Sequence, residues 1–78
     1  MTTETIAQTV DAKGLSCPMP IVRTAQAAKA VASGAFIEVL ATDPVSVKDF
    51  TAWAKTTGNE LVEQSADGGI FRFVIRRK

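Results

Sequence analysis

Hydrophobic and polar positions change period several times along this chain, and each change marks an element. Ile6, Gln8 and Val10, with Ala7 and Thr9 between them, show the two-residue period of a strand, predicted over 5–11. A connection from Asp11 to Ser16, containing Gly14, leads to a helical pattern over Pro18–Ser33. There Ile21, Ala25, Ala28 and Ala32 recur at helical spacing with Val22 beside them, a small-residue stripe that lets a helix lie close to a sheet. Gly34 is placed to end that helix. Ala35–Ala41 predicts a second strand, with Phe36, Glu38 and Leu40 on one side and Ile37 and Val39 on the other.

Thr42-Asp43-Pro44 then turns the chain into a second helix, over about 45–57. Either Asp43 caps it, with Pro44 first in the helix, or Ser46 does, with Asp49 completing the box. Val47, Phe50, Ala54 and Thr57 trace its inward face, Trp53 sits at the edge, and Gly58-Asn59 ends it. Glu60–Ser65 reads as a third strand, Ala66-Asp67-Gly68-Gly69 as a tight turn and Ile70–Arg76 as a fourth strand. In that last strand Phe71, Phe73 and Ile75 form the buried face, and Arg72, Val74 and Arg76 one that is at least partly solvated.

The order β-α-β-α-β-β predicts parallel strands in the first βαβ unit, with a right-handed crossover, and an antiparallel hairpin at the end. One core requires both helices on the same face, an α/β two-layer sandwich (α+β). The strand order is not readable from the pattern.

At 78 residues the chain is expected to be one domain, 1–78, with 1–4 disordered, and a core too small to enclose a deep chamber. The net charge of +1 gives no global field for nucleic acid or membrane. Its one local bias is Arg72, Arg76, Arg77 and Lys78, read either as a solvated tail or as a small basic docking patch. Met1–Thr5 lacks the features of a signal peptide, no segment has the length of a membrane span, and a cytoplasmic location is expected.

One cysteine and no histidine narrow the chemistry. An internal disulfide, a dithiol cycle within one chain and a Cys–His pair are all excluded, and a zinc site would need ligands from other chains. No cofactor or metal is expected. The most informative run is Gly14-Leu15-Ser16-Cys17-Pro18-Met19-Pro20. With Pro18 as the first helical residue, Cys17 is the N-cap, where unpaired N–H groups and the helix dipole favour the thiolate. Pro18 and Pro20 fix the backbone but bring no N–H, so Met19 N–H is the expected nearby donor and a moderate fall in thiol pKa is expected. The plain alternative is a small buried hydrophobe. A lone accessible thiolate can hold sulfur as a persulfide and pass it on.

The run Asp11-Ala12-Lys13-Gly14-Leu15-Ser16-Cys17-Pro18-Met19-Pro20 resembles the motif of the TusA-like (SirA/YedF/TusA) sulfur-carrier family. So do Gly34, Thr42-Asp43-Pro44, Trp53 through Thr57-Gly58, and Gly69-x-Phe71-x-Phe73-x-Ile75, the likeness running from about Val10 to Lys78. It implies a mixed four-stranded sheet with two helices on one face, and Cys17 as the persulfide carrier. It further implies a rhodanese or cysteine desulfurase as donor. The acceptor would be a DsrE-like or heterodisulfide-reductase-like protein, or a tRNA-thiolation relay. Met19, where tRNA-thiolation members usually have glutamate, points towards sulfur trafficking or sulfur oxidation. Partner recognition is expected from Lys13, Leu15, Met19, Arg23, Asp43 and Pro44. A monomer is expected, with no DNA or membrane partner. The competing classes are a regulatory or protein-binding module, in which Cys17 is incidental, and an RNA-binding module using the C-terminal basic residues.

Overall fold

The computed structural model of the protein describes residues 6–16 and 18–78. Six elements follow in the expected order: β1 (Ile6–Ala12), α1 (Met19–Ala30), β2 (Phe36–Ala41), α2 (Ser46–Thr57), β3 (Glu60–Asp67) and β4 (Ile70–Arg76). The sheet order is β1-β2-β4-β3. β1 pairs parallel with β2, and β4 runs antiparallel to both β2 and β3. The sheet is therefore mixed, and α1 and α2 pack on it to make an α+β two-layer fold.

The inward face of the sheet comes from Val10 and Ala12 of β1, Ile37, Val39 and Ala41 of β2, and Phe73 and Ile75 of β4, all buried. Ala27 and Ala28 of α1 and Phe50 of α2 close over them. Phe50 stacks on Phe73 with centroids 4.6 Å apart and meets Trp53 edge-on at 6.3 Å. Such aromatic pairs add about 0.5–1.5 kcal/mol beyond the area they bury.

α1 departs from the expected pattern at both ends and along its face. Pro18 is the N-cap, Pro20 lies in the first turn, and the helix stops at Ala30, not Ser33. Gly34 does not end it. That glycine lies beyond Val31, with φ +84°, and its N–H donates to Arg77 O at 2.8 Å, tying the loop to the end of the chain. The buried face is Pro20, Thr24, Ala27 and Ala28, whereas Val22 and Ala32 are exposed. Thr24 escapes an apolar count because it is polar, yet its hydroxyl donates to Pro20 O at 2.8 Å, so it can be buried without penalty.

In α2, Val45 takes the N-cap position and Ser46 opens the helix. Asp43 organises the approach by accepting Val45 N–H at 3.1 Å through its carboxylate and Ser46 N–H at 3.0 Å through its carbonyl. Ser46 is thus not the cap. Thr57 is exposed and bonds back to Trp53 O, so it leaves the inward face. Gly58 ends the helix as expected, with φ +80° and its N–H on Ala54 O.

β3 extends to Asp67, leaving a two-residue turn of Gly68 and Gly69, both at positive φ, as a tight hairpin between twisted strands requires. Val74, on the face away from the helices, is fully buried. Arg72 explains this: it donates to Glu38 and, at 2.7 Å, to Glu63, while Thr9 also donates to Glu38. Glu38 and Glu63 both pair in register with Val74, so their aliphatic stems cover it.

Candidate functional site

β1 and β2 are parallel, so both finish at the same end of the sheet, and both helices start there. The loop after β1 is a turn closed by Leu15 N–H on Ala12 O at 3.1 Å. Gly14 adopts φ +83° within it, the left-handed conformation a type II turn needs at its third residue. Its N–H donates to Thr42 Oγ1 at 2.9 Å, which fastens the β1–α1 loop to the β2–α2 loop. Leu15 packs half-buried against the core. Five of the expected recognition positions, Lys13, Leu15, Met19, Asp43 and Pro44, are therefore gathered at one end of the molecule around the start of α1.

Cys17 itself lies outside the described residues, as do positions 1–4. Its neighbours define the setting. Pro18, not Cys17, is the N-cap, so position 17 precedes the helix by one residue more than expected. Met19 N–H donates to Ser16 O at 2.9 Å and is not an unpaired donor for a thiolate, a correction to the expectation from sequence. Pro18 and Pro20 have no N–H to give. Met19 N–H is therefore spent, while the helix start still contributes its field to a sulfur anion.

Lys13 folds back on Asp11, its backbone N–H and its ammonium each 3.1 Å from Asp11 Oδ1. These bonds hold the Asp11 carboxyl below its ordinary pKa. Arg23 does not face the helix starts. It lies on the flank of α1 towards β1, beside Gln26. Two apolar side chains at this end are exposed against expectation. Val45 is 50% exposed at the head of α2, and Val22 is 38% exposed one turn into α1, beside Met19 at 40%. Val45 was legible in principle, as an apolar residue directly after Asp43-Pro44 where a helix start favours a polar one.

The C-terminal basic residues are divided between ion pairs and the far end of the sheet. Arg72 is committed to Glu38 and Glu63, and Arg76 pairs with Glu60 at 3.1 Å. Arg77 and Lys78 lie at the other end of the sheet, because Arg76 is in register with Phe36 at the start of β2. Among the described residues no three His, Cys, Asp or Glu side chains come together as a metal would need, and no helix is long and apolar enough to cross a membrane.

Comparison with known proteins agrees with this arrangement. Residues 8–77 match the family model described as Sulfurtransferase TusA. The chain is 53% identical over 70 residues to the sulfur carrier protein TusA of Allochromatium vinosum, covering 90% of this chain and 92% of that protein. It is 50% identical over 68 residues to the putative sulfur carrier protein YrkI of Bacillus subtilis, covering 87% and 91%. The crystal structure of a SirA-like protein from Desulfitobacterium hafniense superimposes with a TM-score of 0.79 at 27% identity, over 88% of this chain and 95% of that one. A match across nearly the whole sequence, joined to the same fold, means that the chain belongs to the TusA sulfurtransferase family.

Proposed function

We propose that this protein is a sulfur carrier that holds sulfur as a persulfide on Cys17 and hands it to a partner protein, in sulfur trafficking or sulfur oxidation within the cytoplasm. The observation that carries the reading is the Cys17-Pro18-Met19-Pro20 run, which leads into the first turn of α1 in a chain half-identical to proteins named sulfur carriers. The Cys17 thiolate attacks the outer sulfur of a donor persulfide. A new S–S bond forms, the donor's S–S bond breaks, and the donor leaves as a thiolate, with the outer sulfur keeping its proton. An acceptor thiolate then repeats the attack on Cys17–S–SH. A thiolate enters and a thiolate leaves at each step, so no oxidant is consumed. The donor would be a rhodanese or a cysteine desulfurase, and the acceptor a DsrE-like or heterodisulfide-reductase-like protein. Met19 between the prolines favours this route over a tRNA-thiolation relay.

Lys13, Leu15, Met19, Asp43 and Pro44 support the reading because both partners must reach one sulfur, and these residues surround the start of α1. Incubation with a persulfide donor is expected to add about 32 Da per sulfur to the intact mass. Cys17→Ser is expected to take up none while staying folded. An unchanged mass of the folded protein after exposure to competent rhodanese and desulfurase donors would exclude the persulfide cycle.

A further inference from the structure

The sheet has two edges, and they are finished differently. β3 breaks register near its start, between Leu61 and Glu63, and is regular from Glu63 to Asp67; what sets it apart is that its Glu60 and Glu63 are engaged by Arg76 and Arg72. Charged side chains are a usual means of keeping another strand off an edge. β1 likewise has a register break at its beginning, between Ile6 and Gln8, and is regular from Gln8 to Ala12. Ala7, Gln8, Thr9 and Asp11 are exposed, and among the described residues no strand lies beyond β1. Its outward N–H and C=O groups are a template for an extended chain.

Beside this edge, between β1 and α1, runs an open groove of about 320 Å³. Ala27 and Ala30 form its small-residue wall, and Arg23 and Gln26 stand at its rim. Arg23 has no ion pair among the described residues, unlike Arg72 and Arg76. A strand added to β1 would send every second side chain towards α1. Arg23 and Ala27 are one helical turn apart, about 6 Å along the axis. Two residues of a strand span about 6.7 Å. The added strand would therefore set a carboxylate against Arg23 and, two residues away, an aliphatic side chain against Ala27.

We infer that the outer edge of β1 binds an extended acidic-aliphatic segment of a sulfur-exchanging partner by strand addition, with Arg23 as the charge that sets its register. Main-chain hydrogen bonds supply the affinity, and the groove supplies the selectivity. Because β1 leads through the Lys13–Ser16 loop to Cys17, a partner held there is tethered beside the sulfur position. Only the nature of the occupant rests on the proposed carrier function. The edge itself is independent of sulfur, so the test uses the Cys17→Ser protein and reads binding alone.

The probe is an end-capped peptide of about eight residues, alternating threonine and valine, with one valine replaced by glutamate. At saturation it is expected to slow amide hydrogen exchange in β1 by about tenfold or more and to leave β3 unchanged. Arg23→Glu is expected to weaken the peptide by about tenfold, equivalent to about 1.4 kcal/mol, and a lysine in place of the peptide's glutamate to recover that loss. N-methylation of the peptide's pairing amides is expected to abolish binding. The inference is overturned by no protection of β1 at millimolar peptide. It is equally overturned by binding indifferent to the charge swap, or by β1 protection that rises with protein concentration alone, which would give the edge to a second copy.

Discussion

Two polar side chains reverse what their chemistry alone suggests. Arg72 sits on the solvent side of the sheet, yet it binds Glu38 and Glu63 together and seals Val74. The hydrogen bond from Arg72 is the main reason the Glu38 carboxyl titrates below its ordinary value of 4.5, with burial opposing it and Thr9 assisting. A carboxyl with a lowered folded-state pKa binds fewer protons folded than unfolded between those two values. Its contribution is complete above 4.5 and drains away as pH falls towards the folded value. Urea melts of the wild type between pH 7 and 3 are expected to show this loss, and Glu38→Gln a flatter profile. At pH 7, Arg72→Ala is expected to cost about 2 kcal/mol, between the values for exposed and buried pairs, by leaving two carboxylates facing each other over Val74. Ser46 is the converse case: it is 2% exposed, and its hydroxyl has no partner among the described residues. Ser46→Ala removes that orphan and is expected to raise stability by about 1 kcal/mol.

At the scale of elements, the sequence is most transparent where one residue type has one conformational use. Gly58 ends α2 and Gly68-Gly69 turns the hairpin because only such residues take positive φ cheaply. It is least transparent where a long-range partner decides. Gly34 resembles a helix stop but serves a loop whose acceptor, Arg77 O, is remote in sequence. The stripe on α1 shifts because Thr24 satisfies its own hydroxyl, and Met19 N–H is lost to the site because Ser16 O takes it. The link between Gly14 and Thr42 belongs to the same class, and it helps join the two loops of the candidate site. Thr42→Val keeps the shape and removes the acceptor. It is expected to cost about 1 kcal/mol and to slow sulfur uptake by the folded protein, read as the rate of the mass gain with a fixed donor. Thr42→Ser, which restores the acceptor, is expected to recover both.

For the whole molecule, the division of labour between core and site follows from where each lies. The core is thin: its small residues Ala12, Ala27, Ala28 and Ala41 bring the layers close, and the Phe50–Phe73 stack fills the centre. A domain of this length has roughly 4–12 kcal/mol of stability in all. Phe50→Ala, at about 3–5 kcal/mol, is therefore expected to leave little or no folded protein at 37 °C. Phe50→Leu keeps most of the volume and is expected to cost about 1–2 kcal/mol, lowering the urea midpoint with an unchanged slope. The candidate site, in contrast, is built from loops and helix starts at the end of the sheet, joined by the Gly14–Thr42 bond and the Asp43 turn, and neither touches Phe50 through a hydrogen bond. In conditions where both proteins are fully folded, Phe50→Leu is thus expected to leave the alkylation rate of Cys17 at the wild-type value across pH. A changed pH profile in that variant would mean that the thiol's environment is set by the packing of α2, and not by the local geometry where α1 begins.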